Sequence, residues 1–183
     1  ANVTGLSPGA PLNAVIAFDT GPGNVLLDAV ARERHLPGGI DVDGRLALSG
    51  QVVPQLLEVL LANDYYSRLP PKSADARQFV LCLADEGISS LATADVLATA
   101  AQLTVTSVVD GVRRWIAPPQ PIDEMLVAGG GVHNRALMDG LRARLSCVEP
   151  VPPEDGIPPD AKEAAAFAVL ALETLAGRPG NVP

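Results

Sequence analysis

Hydrophobic and polar positions follow two different periodicities along this chain. Short apolar runs bounded by Gly, Pro, Asn or Asp are typical of buried strands. Longer stretches, in which apolar side chains recur every three or four residues, are typical of amphipathic helices. The strand-like runs lie at residues 1–6, 14–18, 125–128 and 147–150, and the helix-like stretches at residues 23–35, 52–62, 93–116, 133–145 and 160–176.

The order of these elements predicts the fold class. Two strands joined by a Pro-Gly turn come first, and later strands alternate with helices, which favours an α/β sheet covered by helices. We therefore predict a mixed five-stranded sheet with helices on both faces. The length of 183 residues suits a single domain over residues 1–183, or one lobe of a larger protein.

Composition and charge narrow the class of partner. The formal net charge is −8 and the chain contains 48% hydrophobic residues. A nucleic-acid partner would need clustered basic residues, so we expect none. No apolar run reaches the roughly 20 residues needed to span a bilayer, and no secretory segment opens the chain. Two cysteines without metal-site spacing are typical of a reducing compartment. We therefore expect a cytoplasmic protein without a membrane partner.

The most informative motif is the sequence DTGPGN, from Asp19 to Asn24, between a predicted strand and a predicted helix. Glycine has no Cβ, so the backbone of such a turn can approach a ligand closely. The free N–H groups at the start of the next helix favour an anion. Asp19 is therefore a candidate ligand-binding residue, although it could also cap the N-terminus of the following helix.

A second glycine turn has the same setting. The sequence GGGVHN, from Gly129 to Asn134, again follows a predicted strand and precedes a predicted helix. It lacks the G-x-G-x-x-G spacing of a dinucleotide-binding turn, and an ordinary tight connection would also explain it. Together, the two turns indicate a nucleotide or another phosphorylated ligand.

Several motifs in this order carry a family resemblance. They are ANVTGL, FDTGPGN, PPKS, AGGGVHN, PPDAKEAAAFAVLAL and GRPGNVP, and they extend along nearly the whole chain. In this order and spacing they resemble the C-terminal lobe of the anhydro-N-acetylmuramic acid kinases. The resemblance implies an actin-like ATPase (ribonuclease H-like) lobe, with ATP, Mg²⁺ and a sugar bound in the cleft between two lobes.

The resemblance also implies a reaction and assigns its catalytic residues to the two lobes. Water opens the 1,6-anhydro ring of anhydro-N-acetylmuramic acid while the γ-phosphate passes to O6, which gives N-acetylmuramic acid 6-phosphate for peptidoglycan recycling. In the family, the phosphate loop GTMSGTS and the aspartate that activates the water belong to the N-terminal lobe, which this chain lacks. We therefore expect the isolated lobe to be inactive. The resemblance also implies that the complete protein is a homodimer.

Candidate site residues follow from matching the family's motifs to this chain. The resemblance implies sugar contacts by three residues, Asp19, Asn24 and Glu163, and a metal contact by Asp19. It implies nucleotide contacts by Asn2, Gly21, Gly23, Gly129, Gly130, Gly131 and Asn134. The pattern from Asp160 to Glu163 also fits a capping box, in which the glutamate satisfies an N–H group at the helix start.

One loop departs from the family pattern. Where the family has PKSTGRE, this chain has Pro71-Lys72-Ser73-Ala74-Asp75-Ala76-Arg77. The glycine is lost and the arginine is moved or replaced, which keeps open a degenerate module that binds nucleotide without catalysis. A related sugar or acyl kinase also stays open, because nucleotide-binding turns do not distinguish between acceptors.

Overall fold

A computed structural model describes residues 1–80, 86–117, 121–145, 147–150 and 157–180. Its helices are α1 (Asn24–Glu33), α2 (Arg45–Ser49), α3 (Pro54–Leu61), α4 (Ala76–Val80), α5 (Glu86–Ser89), α6 (Thr93–Gly111), α7 (Arg135–Arg142) and α8 (Lys162–Leu175). Its strands are β1 (Asn2–Gly5), β2 (Ile16–Asp19), β3 (Met125–Val127) and β4 (Val148–Pro150). The α/β class predicted from the sequence is confirmed.

The strands of the described residues form two small sheets. β1 and β2 pair antiparallel, with Asn2 opposite Asp19. β3 and β4 pair parallel, with Met125 opposite Val148. The single five-stranded sheet that the sequence predicted is not seen in these residues. A run of three or four apolar residues identifies a strand, but it carries too little information to specify which edge pairs with which neighbour.

The core is built around α6. This helix is apolar on nearly every side and packs against α1, α2, α3 and α7, as expected of a central buried helix. Small residues permit close contact, because a carbon added at Gly140 of α7 would lie 2.8 Å from the Val105 side chain. Val3 of β1 and Met125 of β3 pack against the same core, so the two sheets share one hydrophobic interior.

The end of α6 has a wider turn. Residues Val112–Ile116 continue the helix as a π-helical segment, so the helix predicted over residues 93–116 is confirmed in extent. The segment crosses behind β1, where a carbon added at Gly5 would lie 2.8 Å from the Ile116 side chain. At the C-terminal end of α6, a carbon added at Gly111 would lie 3.0 Å from the Thr20 side chain and 3.2 Å from the Phe18 ring, so this end of the helix packs against the end of β2.

Candidate functional site

The fold brings the two glycine turns together. The first turn follows β2 and leads into α1, and the second follows β3 and leads into α7. A carbon added at Gly130 would lie 3.6 Å from Nδ2 of Asn24, and one added at Gly131 would lie 4.0 Å from Oδ1 of Asn24. Oδ1 of Asn24 is shielded from solvent and has no hydrogen-bond partner among the described residues. The first turn therefore contacts the second through the side chain of Asn24.

A cavity of about 440 Å³ opens beside this contact. Its size lies within the usual range for small-molecule sites. One wall is α1 and another is the second glycine turn. The third is the segment between α1 and α2. The lining residues are Asn24, Leu27, Asp28, Ile40, Asp41, Val42, Asp43, Gly130, His133 and Asn134.

Three carboxylates give this cavity an acidic rim. Asp41 accepts hydrogen bonds from the backbone N–H groups of Leu46 and Ala47 and so holds the start of α2. Asp43 pairs with Arg45 at 2.8 Å. Burial raises the pKa of Asp28, and the charge of Arg32 partly offsets that rise. Carboxylates accept hydrogen bonds from hydroxyl and amino groups, so this rim suits the sugar or base of a nucleoside better than its phosphates.

The second glycine turn leaves open space on its outer side. Gly129 has a φ of 84°, a left-handed conformation that favours glycine. Gly130 does not have a left-handed φ, and an added carbon there would meet only Asn24 at ordinary contact distance. Nothing in the described protein therefore requires glycine at position 130. A ligand in close contact with the backbone would require it.

The first glycine turn is packed from behind. A carbon added at Gly21 would lie 2.9 Å from Oγ of Ser107 and 3.3 Å from the ring of Tyr66. Gly23 has a φ of 59° and lies against the first residue of the chain, where an added carbon would approach the backbone N of Ala1 to 2.9 Å. Both glycines therefore have a packing reason to be glycine, in addition to the ligand role that the sequence predicts for them.

Asp19 is held in place by its neighbours. Its Oδ2 atom accepts hydrogen bonds from the Ala74 backbone N–H at 2.8 Å and from the Ser73 hydroxyl at 3.2 Å. Its Oδ1 atom accepts one from Nδ2 of Asn2 at 3.3 Å. The carboxylate contacts the loop after Pro71 and the side chain opposite it in β1. It does not cap α1, which begins after Gly23 and has no side-chain hydrogen bond at its N-terminus.

A buried tyrosine donates a hydrogen bond to the backbone of Asp19. The hydroxyl of Tyr65 donates to the Asp19 carbonyl oxygen at 2.6 Å, and the ring is fully buried. Burial, together with the negative charge of Asp19, raises the pKa of Tyr65 to about 12. Nζ of Lys72 donates to the Tyr65 carbonyl oxygen and lies 4.6 Å from the centre of the Tyr65 ring. Burial, followed by the charges of Arg114 and Arg68, lowers the pKa of Lys72.

The loop that departs from the family pattern still reaches Asp19. Ser73 and Ala74 provide two of the hydrogen bonds to its carboxylate. Arg77 instead pairs with Asp75 two residues earlier, with Nη2 3.0 Å from Oδ2. That pair is exposed, so the displaced arginine contacts its own loop and none of the predicted site residues.

The start of α8 joins the second glycine turn. The backbone N–H of Gly129 donates to the Pro159 carbonyl oxygen at 2.9 Å. Nε2 of His133 lies 2.9 and 3.1 Å from the two carboxylate oxygens of Asp160. Glu163 follows in the first turn of α8 and is exposed. Because Asp160 contacts His133 and α8 has no side-chain cap, the capping box that the sequence allowed is not formed.

The predicted site residues thus fall into two neighbouring groups. Asn24, Gly130 and Asn134 line the cavity, and Asn2 and Asp19 contact each other beside the first turn. Asn134 has a structural role as well, because it is buried and its side chain accepts a hydrogen bond from the Leu137 backbone N–H at the start of α7. Gly129 joins the second turn to the segment that precedes Glu163.

Sequence reasoning did not identify Asp28 or Tyr65 as residues of this site. Asp28 lines the cavity, and its place four residues after Asn24 puts both side chains on one face of α1, a signal that the sequence contains. Tyr65 gave no such signal, because its contact with Asp19 joins residues 46 positions apart and depends on the tertiary fold.

Among the described residues, no group of three or more His, Cys, Asp or Glu residues is arranged to hold a metal ion. No helix in that part of the chain combines the length and apolarity that crossing a bilayer requires.

Comparison with known proteins finds relatives along the whole chain. The family model for anhydro-N-acetylmuramic acid kinase matches residues 1–183. The chain is 41% identical over 189 aligned residues to the anhydro-N-acetylmuramic acid kinase of Salinibacter ruber, and the alignment covers 100% of this chain and 47% of that protein. It is 42% identical to the kinase of the same name from Chromohalobacter salexigens and from Streptomyces coelicolor, covering 50% and 46% of them.

These alignments cover all of this chain but only part of each relative. The chain spans about half the length of the curated relatives it matches. The family match and the identities agree on one group of proteins, and the chain therefore belongs to the anhydro-N-acetylmuramic acid kinase family.

Proposed function

We propose that this chain is the C-terminal lobe of an ATP-dependent kinase that converts anhydro-N-acetylmuramic acid into N-acetylmuramic acid 6-phosphate. Water adds to C1 as the 1,6-anhydro bond breaks, and O6 takes the γ-phosphoryl group of ATP, which leaves ADP. The name of the relatives supports this substrate. The observation that carries the proposal is the contact between the two glycine turns through Asn24, beside a cavity of nucleoside size.

The adenosine would occupy the cavity between α1 and the second glycine turn. Its base or ribose would lie against the backbone of Gly129, Gly130 and Gly131, where the described protein leaves open space. The carboxylate of Asp28 would accept a hydrogen bond from a hydroxyl or amino group. The phosphates would extend toward the first turn, where Gly21 and Gly23 keep the backbone close to them.

Asp19 would contact the reacting groups beside the first turn, together with Asn2. Mg²⁺ is commonly held by one or two carboxylates together with substrate phosphates and water. Asp19 fits the role of a single carboxylate ligand through Oδ1, which keeps a free lone pair after accepting its one hydrogen bond from Asn2, whereas the bonds from Ser73 and Ala74 occupy Oδ2. When bound, the ion would neutralise charge on the phosphates. Glu163 would accept hydrogen bonds from the sugar.

The rest of the protein would supply the other side of the cleft. Phosphoryl transfer depends on positioning and charge neutralisation from both sides, so we expect this chain alone to be inactive. In the complete protein, the two small sheets would belong to one five-stranded mixed sheet of an actin-like (ribonuclease H-like) lobe. Their packing against one shared core supports this arrangement. We also expect a cytoplasmic homodimer.

A kinase assay on the complete protein tests this function. ADP release should require anhydro-N-acetylmuramic acid, ATP and Mg²⁺ together, and mass spectrometry should find a product heavier than the sugar by one phosphoryl group (HPO₃) and one water. ADP release with a different sugar or with an acyl acceptor, and none with this sugar, would favour a related kinase instead.

The pairing of Arg77 with Asp75 supports a second candidate, a nucleotide-binding module without catalysis. In that case ATP would bind to the complete protein, as measured by calorimetry, while no acceptor in the panel would give ADP. Product formation at a rate typical of kinases, about 1–100 per second, would exclude this module.

A further inference from the structure

We infer that His133 and Asp160 form a clip that fixes the start of α8 against the second glycine turn and so positions Glu163. Nε2 of His133 faces both carboxylate oxygens of Asp160 at 2.9 and 3.1 Å. The inference rests on the proposed function, because it concerns how the sugar contact is held relative to the nucleotide.

The reason that α8 needs such a clip lies in its packing. None of its described residues is buried, and Phe167 and Leu172 are exposed. Hydrophobic packing within the described part of the chain therefore does not fix the position of this helix. The hydrogen bond from Gly129 to Pro159 and the contact from His133 to Asp160 lie at its beginning, where Glu163 follows within one turn.

The two ends of the clip belong to different candidate sites. His133 lines the cavity that would hold adenosine, whereas Asp160 lies three residues before the proposed sugar contact Glu163. A movement of the second glycine turn is thus transmitted through the clip to the first turn of α8. His133 and Asp160 are positioning residues in this scheme, and neither contacts the sugar.

Kinetics of the complete protein test the clip. Asp160→Ala should raise the KM for the sugar about tenfold, because displacement of a positioned group by a fraction of an ångström is costly. Its KM for ATP should stay within about twofold, since Asp160 does not line the cavity. The double variant His133→Ala with Asp160→Ala should have a sugar KM no higher than that of the more impaired single variant, because each change removes the same contact.

A matched control and a rescue sharpen the test. Glu149→Ala removes another exposed carboxylate that pairs with a basic side chain, Arg142 at 3.5 Å, and should leave both KM values unchanged. His133→Gln keeps an N–H donor on a side chain long enough to reach Asp160 and should recover most of the lost sugar affinity. An unchanged sugar KM in Asp160→Ala, additive losses in the double variant, or His133→Gln as poor as His133→Ala would each overturn the clip.

Amide hydrogen exchange of the complete protein separates the clip from the proposed function. The Gly129 amide, which donates to Pro159 across the same junction, should exchange about threefold to fivefold faster in Asp160→Ala, as loss of an exposed pair allows. Unchanged exchange would refute the clip, whatever the enzyme does. A wild-type protein that never phosphorylates the sugar, with faster exchange in the variant, would refute the function and the role of Glu163 but leave the clip standing.

Discussion

The two glycine turns have similar sequences but opposite surroundings. In the first turn, a carbon added at Gly21 would collide with Ser107 and approach Tyr66. In the second turn, a carbon added at Gly130 would meet only Asn24 at 3.6 Å. Neither glycine has a left-handed φ, so backbone strain does not distinguish them. The same substitution at these two positions therefore differs only in the space around it.

This difference shows that a glycine-rich turn can have two separate physical causes. The first turn needs glycine so that α6 can pack behind it, and the ligand role proposed for this turn would be additional. The second turn has no such requirement at Gly130 in the described protein, so a ligand is the better explanation there. A glycine therefore argues for a binding site most strongly where the protein itself would tolerate a side chain.

The largest effect should come from Gly21→Val. Its branched side chain would collide with Ser107 and Tyr66, and overpacking of this kind costs about 3 kcal/mol. The free energy of unfolding, measured by denaturant titration of this chain, should fall by about that amount. A stability within about 0.5 kcal/mol of the wild type would show that the two turns do not differ as the structure suggests.

The contribution of Tyr65, which donates a hydrogen bond to Asp19 before the first turn, to the free energy of unfolding should decrease at high pH. The pKa of Tyr65 is raised from 10.0 to about 12 by burial and by Asp19, so the folded state holds this proton more tightly than the unfolded state does. Its contribution is fully present below pH 10 and is lost as the pH rises toward 12, roughly 2–3 kcal/mol in all. Unfolding of wild type and Tyr65→Phe should be compared across this range. Parallel pH profiles of the two proteins would contradict this assignment.

The longer helices could be predicted from the sequence, and the short elements could not. The predicted helices at residues 23–35 and 160–176 match α1 and α8 within a few residues, because apolar periodicity is a local property. The five-residue helix α2 is too short to show a period. It depends on Asp41, which accepts hydrogen bonds from two of its backbone N–H groups, and on a tertiary contact of Gly44 with Asn134.

The same limit applies to the candidate site. The sequence identified both glycine turns, since glycine clusters between a strand and a helix are visible locally. It did not identify Tyr65 or the contact between His133 and Asp160, which joins residues 27 positions apart. Side chains that hold a site in place depend on the path of the chain, and only the structure reveals them.

In the second turn, Gly130→Val should spare the fold and impair ATP binding. The valine would project into the space proposed for adenosine, so the apparent KM for ATP of the complete protein should rise about thirtyfold, equivalent to about 2 kcal/mol. The free energy of unfolding should stay within about 0.5 kcal/mol of the wild type. Gly21→Val is the comparison for stability, since it should lower the free energy of unfolding where Gly130→Val does not. Unchanged ATP dependence in a folded Gly130→Val protein would remove adenosine from this turn.

The smallest effect should come from Glu163→Gln, beyond the second turn. Glu163 is exposed and forms no capping box, so the change to an amide of equal size should leave the melting temperature almost unaltered. A carboxylate that accepts hydrogen bonds from the sugar loses a charge-assisted contact, which is roughly twice as strong as a neutral one. The kcat/KM for the anhydro-sugar should therefore fall about tenfold, equivalent to about 1.4 kcal/mol, while the KM for ATP stays constant. Steady-state kinetics with each substrate varied in turn will separate the two values. A parallel loss for both substrates would mean that Glu163 affects the cleft as a whole, and full activity would mean that it does not contact the sugar.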